Sequence, residues 1–186
     1  MALKPTIYKF TLMVSDFNRD YYEELPLTVA QHPSETVERM MVRVLAFCLS
    51  AQQEGLSFTK GLSAVDEPDL WVKSLDDQLL TWIDVGEPAV DRIKKAARRA
   101  QEVLVYSFNH KSESWWAKHQ VDFANLSVSV YQFQWEQVQQ LAQLVERTLS
   151  ASLTITDNNL HFSIDTLASD NHSCDLQYRT LQDKSR

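Results

Sequence analysis

Residues 66–86, DEPDLWVKSLDDQLLTWIDVG, restrict the fold more tightly than any other stretch of the chain. Two arms rich in Trp, Val, Ile, Leu and Thr flank Asp76-Asp77, and such arms around a turn-forming pair make a β-hairpin. A turn centred between the two aspartates pairs residues whose numbers sum to about 153, so Trp71 faces Trp82 and Asp69 faces Asp84. The two carboxylates then stand side by side on one face. Like charges directly opposite each other destabilise a sheet unless a cation, a proton or a basic side chain lies between them. The pairing therefore demands a positive partner.

Composition narrows what that partner serves. The chain has 186 residues, which fits a single domain over 1–186 that buries roughly 70% of its unfolded surface without disulfides. Cys48 and Cys174 lie far apart and form no C-x-x-C unit, which suits a reducing compartment. The opening MALKPTIYKFTLMVSD alternates and contains a proline, unlike a signal peptide, and no run reaches membrane-spanning length. The expectation is a cytoplasmic protein with no membrane partner. Eighteen Lys and Arg against 25 Asp and Glu give a net charge of −7, which excludes non-specific coating of nucleic acid. A nucleic-acid contact would have to be local, through Lys94, Lys95 and Arg98 of the basic segment DRIKKAARR, residues 91–99. Three glycines leave no phosphate-cradling loop, and the five histidines show no zinc-ligand spacing. Without a G-x-S-x-G, a serine triad is set aside.

Along the chain, TIYKFTLMVSD and YYEELPLTVAQ read as a hairpin around DFNRD. Pro33 and Ser34 suit a helix start, and Val37, Met40, Met41, Val44, Leu45 and Cys48 follow at helical spacing, predicting a helix over about 34–52. A strand over 56–64 precedes the 66–86 hairpin. A second helix follows Pro88, with a core stripe of Val90, Ile93, Ala97, Ala100 and Leu104. Then come a strand VLVYSFN, a helix SESWWAKHQ, a strand NLSVSVYQF, a helix over 134–149 and a hairpin around Asp157-Asn158-Asn159. The polar tail, 166–186, is expected to add an edge strand through CDLQYRTL or to stay loose. The fold class is α/β (α+β), a mixed sheet flanked by helices, with its core over about 34–110 and added N- and C-terminal strands.

Helix, three strands, helix, strand is also the core order of the restriction-endonuclease-like nucleases, whose strands carry Pro-Asp and then (Asp/Glu)-x-Lys. Here Pro68-Asp69 and Asp84 take the acidic positions, and Gly86 stands where the lysine belongs. Phosphodiester hydrolysis needs a hard cation and a base or cation near the attacking water, and converging carboxylates suit Mg²⁺ or Mn²⁺. Helical phase puts Lys94 on the flank of the core stripe and Lys95 away from it. Lys94 is thus the expected substitute, its ammonium about 4 to 6 Å from the carboxylates, with Arg98 behind it. Glu38 borders the apolar stripe of the first helix, whereas Glu35 is read as helping the helix dipole.

The segments MALKPTIYKF, HPSETVERMMVRVLAF, FTKGLSAVDEP, LTWIDVGEP and DRIKKA together resemble the YaeQ family of bacterial proteins over nearly the whole chain. The resemblance implies a variant restriction-endonuclease-like, PD-(D/E)xK-type fold and a nuclease proposed from fold and motif, with Glu38 and Asp84 at the acidic positions. It also puts weight on Asp66 and Glu67 of DEP, so Glu38, Asp66, Glu67, Asp69 and Asp84 are the candidate metal ligands. Two functions follow. One is a Mg²⁺- or Mn²⁺-dependent nuclease using Glu38, Asp66, Asp69, Asp84 and Lys94. The other is a non-catalytic interaction protein with a vestigial site and an unknown protein partner, in keeping with the link to transcription elongation that the resemblance implies.

Overall fold

The computed structural model of the chain describes residues 4–165 and 172–184. The expected opening hairpin is present as β1 (Thr6–Asp16) and β2 (Tyr21–Gln31), and helix α1 (Val37–Leu49) follows. Thr36 caps α1 by accepting the Arg39 amide at 3.2 Å, so the helix starts later than Pro33-Ser34 suggests. Nine of the 13 residues of α1 are buried. Met40, Met41, Val42, Val44, Leu45 and Ala46 cannot all lie on one stripe, so α1 is enclosed on every side.

What encloses it is a sheet of ten strands among the described residues, in the order β2-β1-β8-β9-β10-β7-β6-β5-β4-β3. The further strands are β3 (Ser57–Phe58), β4 (Leu70–Lys73), β5 (Leu79–Val85), β6 (Glu102–Ser107), β7 (Ser129–Phe133), β8 (Thr148–Thr156), β9 (Asn159–Ile164) and β10 (Ser173–Gln182). The helices α2 (Val90–Arg99), α3 (Ser112–Ala124) and α4 (Trp135–Gln143) connect them. The pairs β1–β8, β5–β6 and β6–β7 are parallel and the rest antiparallel, a mixed sheet as expected. One core joins α1 and α4 to strands from both parts of this order, including Phe10, Leu153, Phe162, Leu176 and Ile83, so the sheet curls around α1. A second core on the other face of β5, β6 and β7 holds Trp82, Val103, Val105 and Val130 against Ile93 and Ala96 of α2 and Phe123 of α3. Cover on both faces is what parallel strands require.

Leu70↔Ile83, Trp71↔Trp82 and Val72↔Thr81 pair as expected, but the register shifts at Lys73↔Leu79, so Ser74 and Gln78 close the turn rather than Asp76-Asp77 centring it, with Asp77 at φ +62°. Elsewhere tertiary contacts redrew boundaries. The strand expected over 56–64 shrinks to Ser57–Phe58, because Gly61 adopts φ +53° and opens a 3₁₀ turn. The helix expected over 134–149 ends at Gln143, since Thr148 and Leu149 pair with Lys9 and Phe10 of β1.

The largest correction concerns the tail. Of 166–186, residues 166–171 and 185–186 lie outside the described residues, and most of the remainder forms β10, Ser173–Gln182, which is neither an edge strand nor loose. It lies between β9 and β7, pairing Leu176 with Leu160 and Tyr178 with Phe133, and so fuses the two parts of the sheet. Cys174, Leu176 and Tyr178 point inward and Asp175, Gln177 and Arg179 outward, the period of a strand with one face on a core. Leu176→Ala should therefore cost about 2–5 kcal/mol, a core-scale loss readable by urea denaturation. A change below about 0.5 kcal/mol would show that β10 does not hold the halves together.

Candidate functional site

Asp69 lies just before β4, where the pairing shifts: its amide donates to the Ile83 carbonyl at 2.9 Å, and its carboxylate shares one cleft with that of Asp84 at the C-terminal end of β5. Both carboxylates are buried, with Asp69 4% and Asp84 2% exposed. The positive partners are arginines. Arg39, from the first turn of α1, places Nη2 2.8 Å from each oxygen of Asp69, and the Val85 amide donates to Oδ2 at 2.8 Å. Arg92, in the first turn of α2, grips Asp84 with both sides of its fork: Nε donates to Oδ2 at 2.7 Å and Nη2 to Oδ1 at 2.9 Å.

Behind Asp69 the chain of charges continues into the interior. Glu35 accepts from Arg39 Nη1 at 2.7 Å, and from Arg43 Nε and Nη2 at 2.8 and 2.6 Å. Arg43 spends its remaining reach on the Ala30 carbonyl at 2.9 Å. The order Arg43–Glu35–Arg39–Asp69, with Asp84–Arg92 alongside, sets three arginines against three carboxylates and is electrically neutral. Burial pushes the Asp69 carboxyl above its ordinary value; Arg39 pulls it down, Asp84 pushes it up again, and the Val85 amide lowers it.

Arg39, Asp69, Asp84 and Arg92 line a cleft of about 400 Å³ that also contains Glu67, Gly86, Glu87 and Asn109. Glu87 belongs to its frame, because Oε1 accepts from the Phe108 and Asn109 amides and the Ser112 hydroxyl at 3.2, 3.0 and 2.5 Å. Asp66 and Glu67 contribute their backbone: Arg92 donates to the carbonyls of Val65 and Glu67, and Arg99 to that of Asp66. Gly86 adopts φ +106°, a conformation that strains any L side chain, so glycine is the residue this backbone accepts where the nuclease motif has lysine.

The place assigned to Lys94 beside Asp84 is held by Arg92. Lys94 pairs instead with Asp91 at 4.0 Å, its side chain 42% exposed, and neither it nor Lys95 nor Arg98 lines the cleft. Helical side chains lean toward the N-terminus, so a residue of the first turn reaches the strand end before one further along. Glu38 is half-buried and outside the cleft lining, whereas Glu35, read as a dipole partner, is the buried acid. A signal for Glu35 existed in the spacing of four that links Glu35, Arg39 and Arg43.

This donor set does not fit a divalent cation as arranged. Every oxygen of Asp69 and Asp84 already receives an N–H, and among the described residues no three His, Cys, Asp or Glu side chains converge as a ligand group. Among the described residues, too, no helix is long and apolar enough to cross a membrane.

Comparison with known proteins connects this geometry to others. The family model described as YaeQ protein matches residues 1–173. The Uncharacterized protein YaeQ of Escherichia coli (strain K12) is 42% identical over 169 residues, covering 89% of this chain and 92% of its own. That of Salmonella typhi is 42% identical over 167 residues, covering 88% and 91%. The crystal structure of YaeQ protein from Xanthomonas axonopodis pv. citri superposes with a TM-score of 0.88 at 35% identity, over 96% of this chain and 98% of that one. The Pseudomonas syringae YaeQ crystal structure gives 0.88 at 34%, over 96% and 97%.

Two outcomes test the charge network. Arg39→Met leaves the buried Asp69 carboxylate without its cation and should cost about 3–5 kcal/mol in urea denaturation, whereas Lys94→Met should stay within about 0.5 kcal/mol. Asp84→Asn removes one cause that raises Asp69, so the Asp69 carboxyl, followed by ¹³C NMR, should titrate at lower pH than in the wild type. The folded state binds this proton more tightly than the unfolded chain. The Asp69 contribution to stability therefore falls as pH rises from its unfolded value toward its folded one, and it should fall less in Asp84→Asn.

Proposed function

The chain belongs to the YaeQ family, and from that premise we propose a non-catalytic interaction protein built on a variant restriction-endonuclease-like core. One observation carries the reading: the two carboxylates at the motif positions are each held by an arginine, Asp69 by Arg39 and Asp84 by Arg92. A hydrolytic site keeps its acids available to a cation and a lysine or base beside the water. In this chain those roles are taken by structural ion pairs, and the lysine position is a glycine whose backbone does not suit a side chain. The cleft lining sets Arg39 and Arg92 against Glu67, Asp69, Asp84 and Glu87, which gives a phosphodiester no net attraction. The link to transcription elongation that the sequence resemblance implies fits a protein acting through a partner.

One observation favours the second reading, a Mg²⁺- or Mn²⁺-dependent nuclease. Asp69 and Asp84 line one cleft together with Glu67, a set of acids from which such chemistry could draw its ligands. On that reading Lys94, Lys95 and Arg98 contact nucleic acid from the exposed side of α2.

Cleavage assays decide between them. Single- and double-stranded DNA and RNA oligonucleotides, incubated with the protein and Mg²⁺ or Mn²⁺, should remain intact, and Mn²⁺ calorimetry should give the same weak heats for wild type and Asp84→Asn. Reproducible cleavage that disappears in Asp84→Asn would overturn the non-catalytic reading.

A further inference from the structure

A second concavity lies where the chain changes sides of the sheet. After β6 it turns to the face carrying α3, whose Phe123 packs with Trp82 and Val105. After β7 it turns to the opposite face, where Val138 and Leu141 of α4 pack with the α1 core. Adjacent parallel strands whose connections leave in opposite directions open a crevice at their C-terminal ends, the recurrent ligand position of open α/β sheets. Here that crevice measures about 770 Å³. The β6–α3 and β7–α4 connections form two of its walls, and β10 with the β8–β9 turn closes a third, through the Tyr178 amide on the Asn158 carbonyl at 3.0 Å.

Its lining is unlike that of the acid cleft, which it meets at Asn109. Trp135, half-buried, is backed by Phe108 and His110, with ring centroids 6.1 and 6.2 Å away, while Tyr178 is buried against Phe133 at 5.8 Å. Around the Trp135 ring the exposed side-chain amides of Gln134, Asn158 and Gln177 make no hydrogen bond among the described residues. Each offers both a donor and an acceptor. The charged lining residues are Glu113, Glu136 and Arg179, and Arg179 is turned to the Gln132 amide at 2.8 Å and to Glu113 at 3.7 Å. One arginine against two glutamates gives a phosphate no anchor.

We propose that this crevice binds an uncharged, polyhydroxylated ring, a sugar either free or as the ribose of a nucleoside. An aromatic platform accepts the C–H face of such a ring, and neutral amides match hydroxyls that both donate and accept.

Saturation-transfer NMR with glucose and with adenosine tests this on the full chain and separates the two sources. Saturation should reach the ring protons of glucose or the ribose protons of adenosine, and the Trp135 indole N–H resonance should shift on titration. Trp135→Ala should abolish the transfer. Asn158 is exposed in a turn, so Asn158→Ala leaves the packing beneath Trp135 untouched, and it should weaken binding about 2- to 10-fold, the worth of one neutral hydrogen bond. No transfer to either probe, transfer that survives Asn158→Ala unweakened, or transfer confined to the adenine protons would each overturn the proposal.

Discussion

The arrangement turns on the pairing of buried guanidinium groups with buried carboxylates at the C-terminal end of β5. Charges removed from water are costly unless paired and fully hydrogen-bonded, so each such pair dictates where its two elements meet. Arg39 brings the start of α1 to the hairpin, through Asp69 and the Val85 carbonyl. Arg92 draws α2 and the 65–67 loop onto Asp84. Glu35 then ties the entry to α1 to Arg43, which is 3% exposed inside the curled sheet. A helix surrounded by apolar strands has few places to put an arginine, and this line of acids supplies them.

That solution has a chemical consequence. Guanidinium groups are permanently charged and planar, and a bidentate grip leaves a carboxylate few free lone pairs. The same contacts that stiffen the cleft therefore take its acids out of use as cation ligands. A few residues away, the crevice between β6 and β7 has the reverse character, with the Trp135 ring beside amides that make no hydrogen bond among the described residues. The two concavities share an end of the sheet and a wall residue, Asn109, yet differ in what they can hold.

Legibility followed the range of the interactions. The pairing of Trp71 with Trp82 was readable because it rests on a tight turn and a period of two, both local, and it put Asp69 and Asp84 at the same end of the hairpin. The demand for a positive partner was equally readable, since it follows from two like charges side by side. Which cation answers was not. Lys94, Lys95, Arg92 and Arg98 lie within two turns of one helix, and the answer depends on how deep in the first turn α2 meets the sheet. Glu35 was misjudged because its burial comes from α1 being enclosed, a property of the whole sheet.

By itself, then, the sequence determined the order of most elements, the central hairpin and its two acids, because each is written in periodicity, turn residues and neighbouring charges. The tertiary structure alone decided that β10 lies inside the sheet, that arginines from two helices neutralise the acids, and that a crevice opens between β6 and β7. Each of these depends on contacts between residues far apart in the chain, such as Leu176 with Leu160 and Arg39 with Asp69. The free energy of such contacts is set by which surfaces the fold buries together, and no local pattern records that.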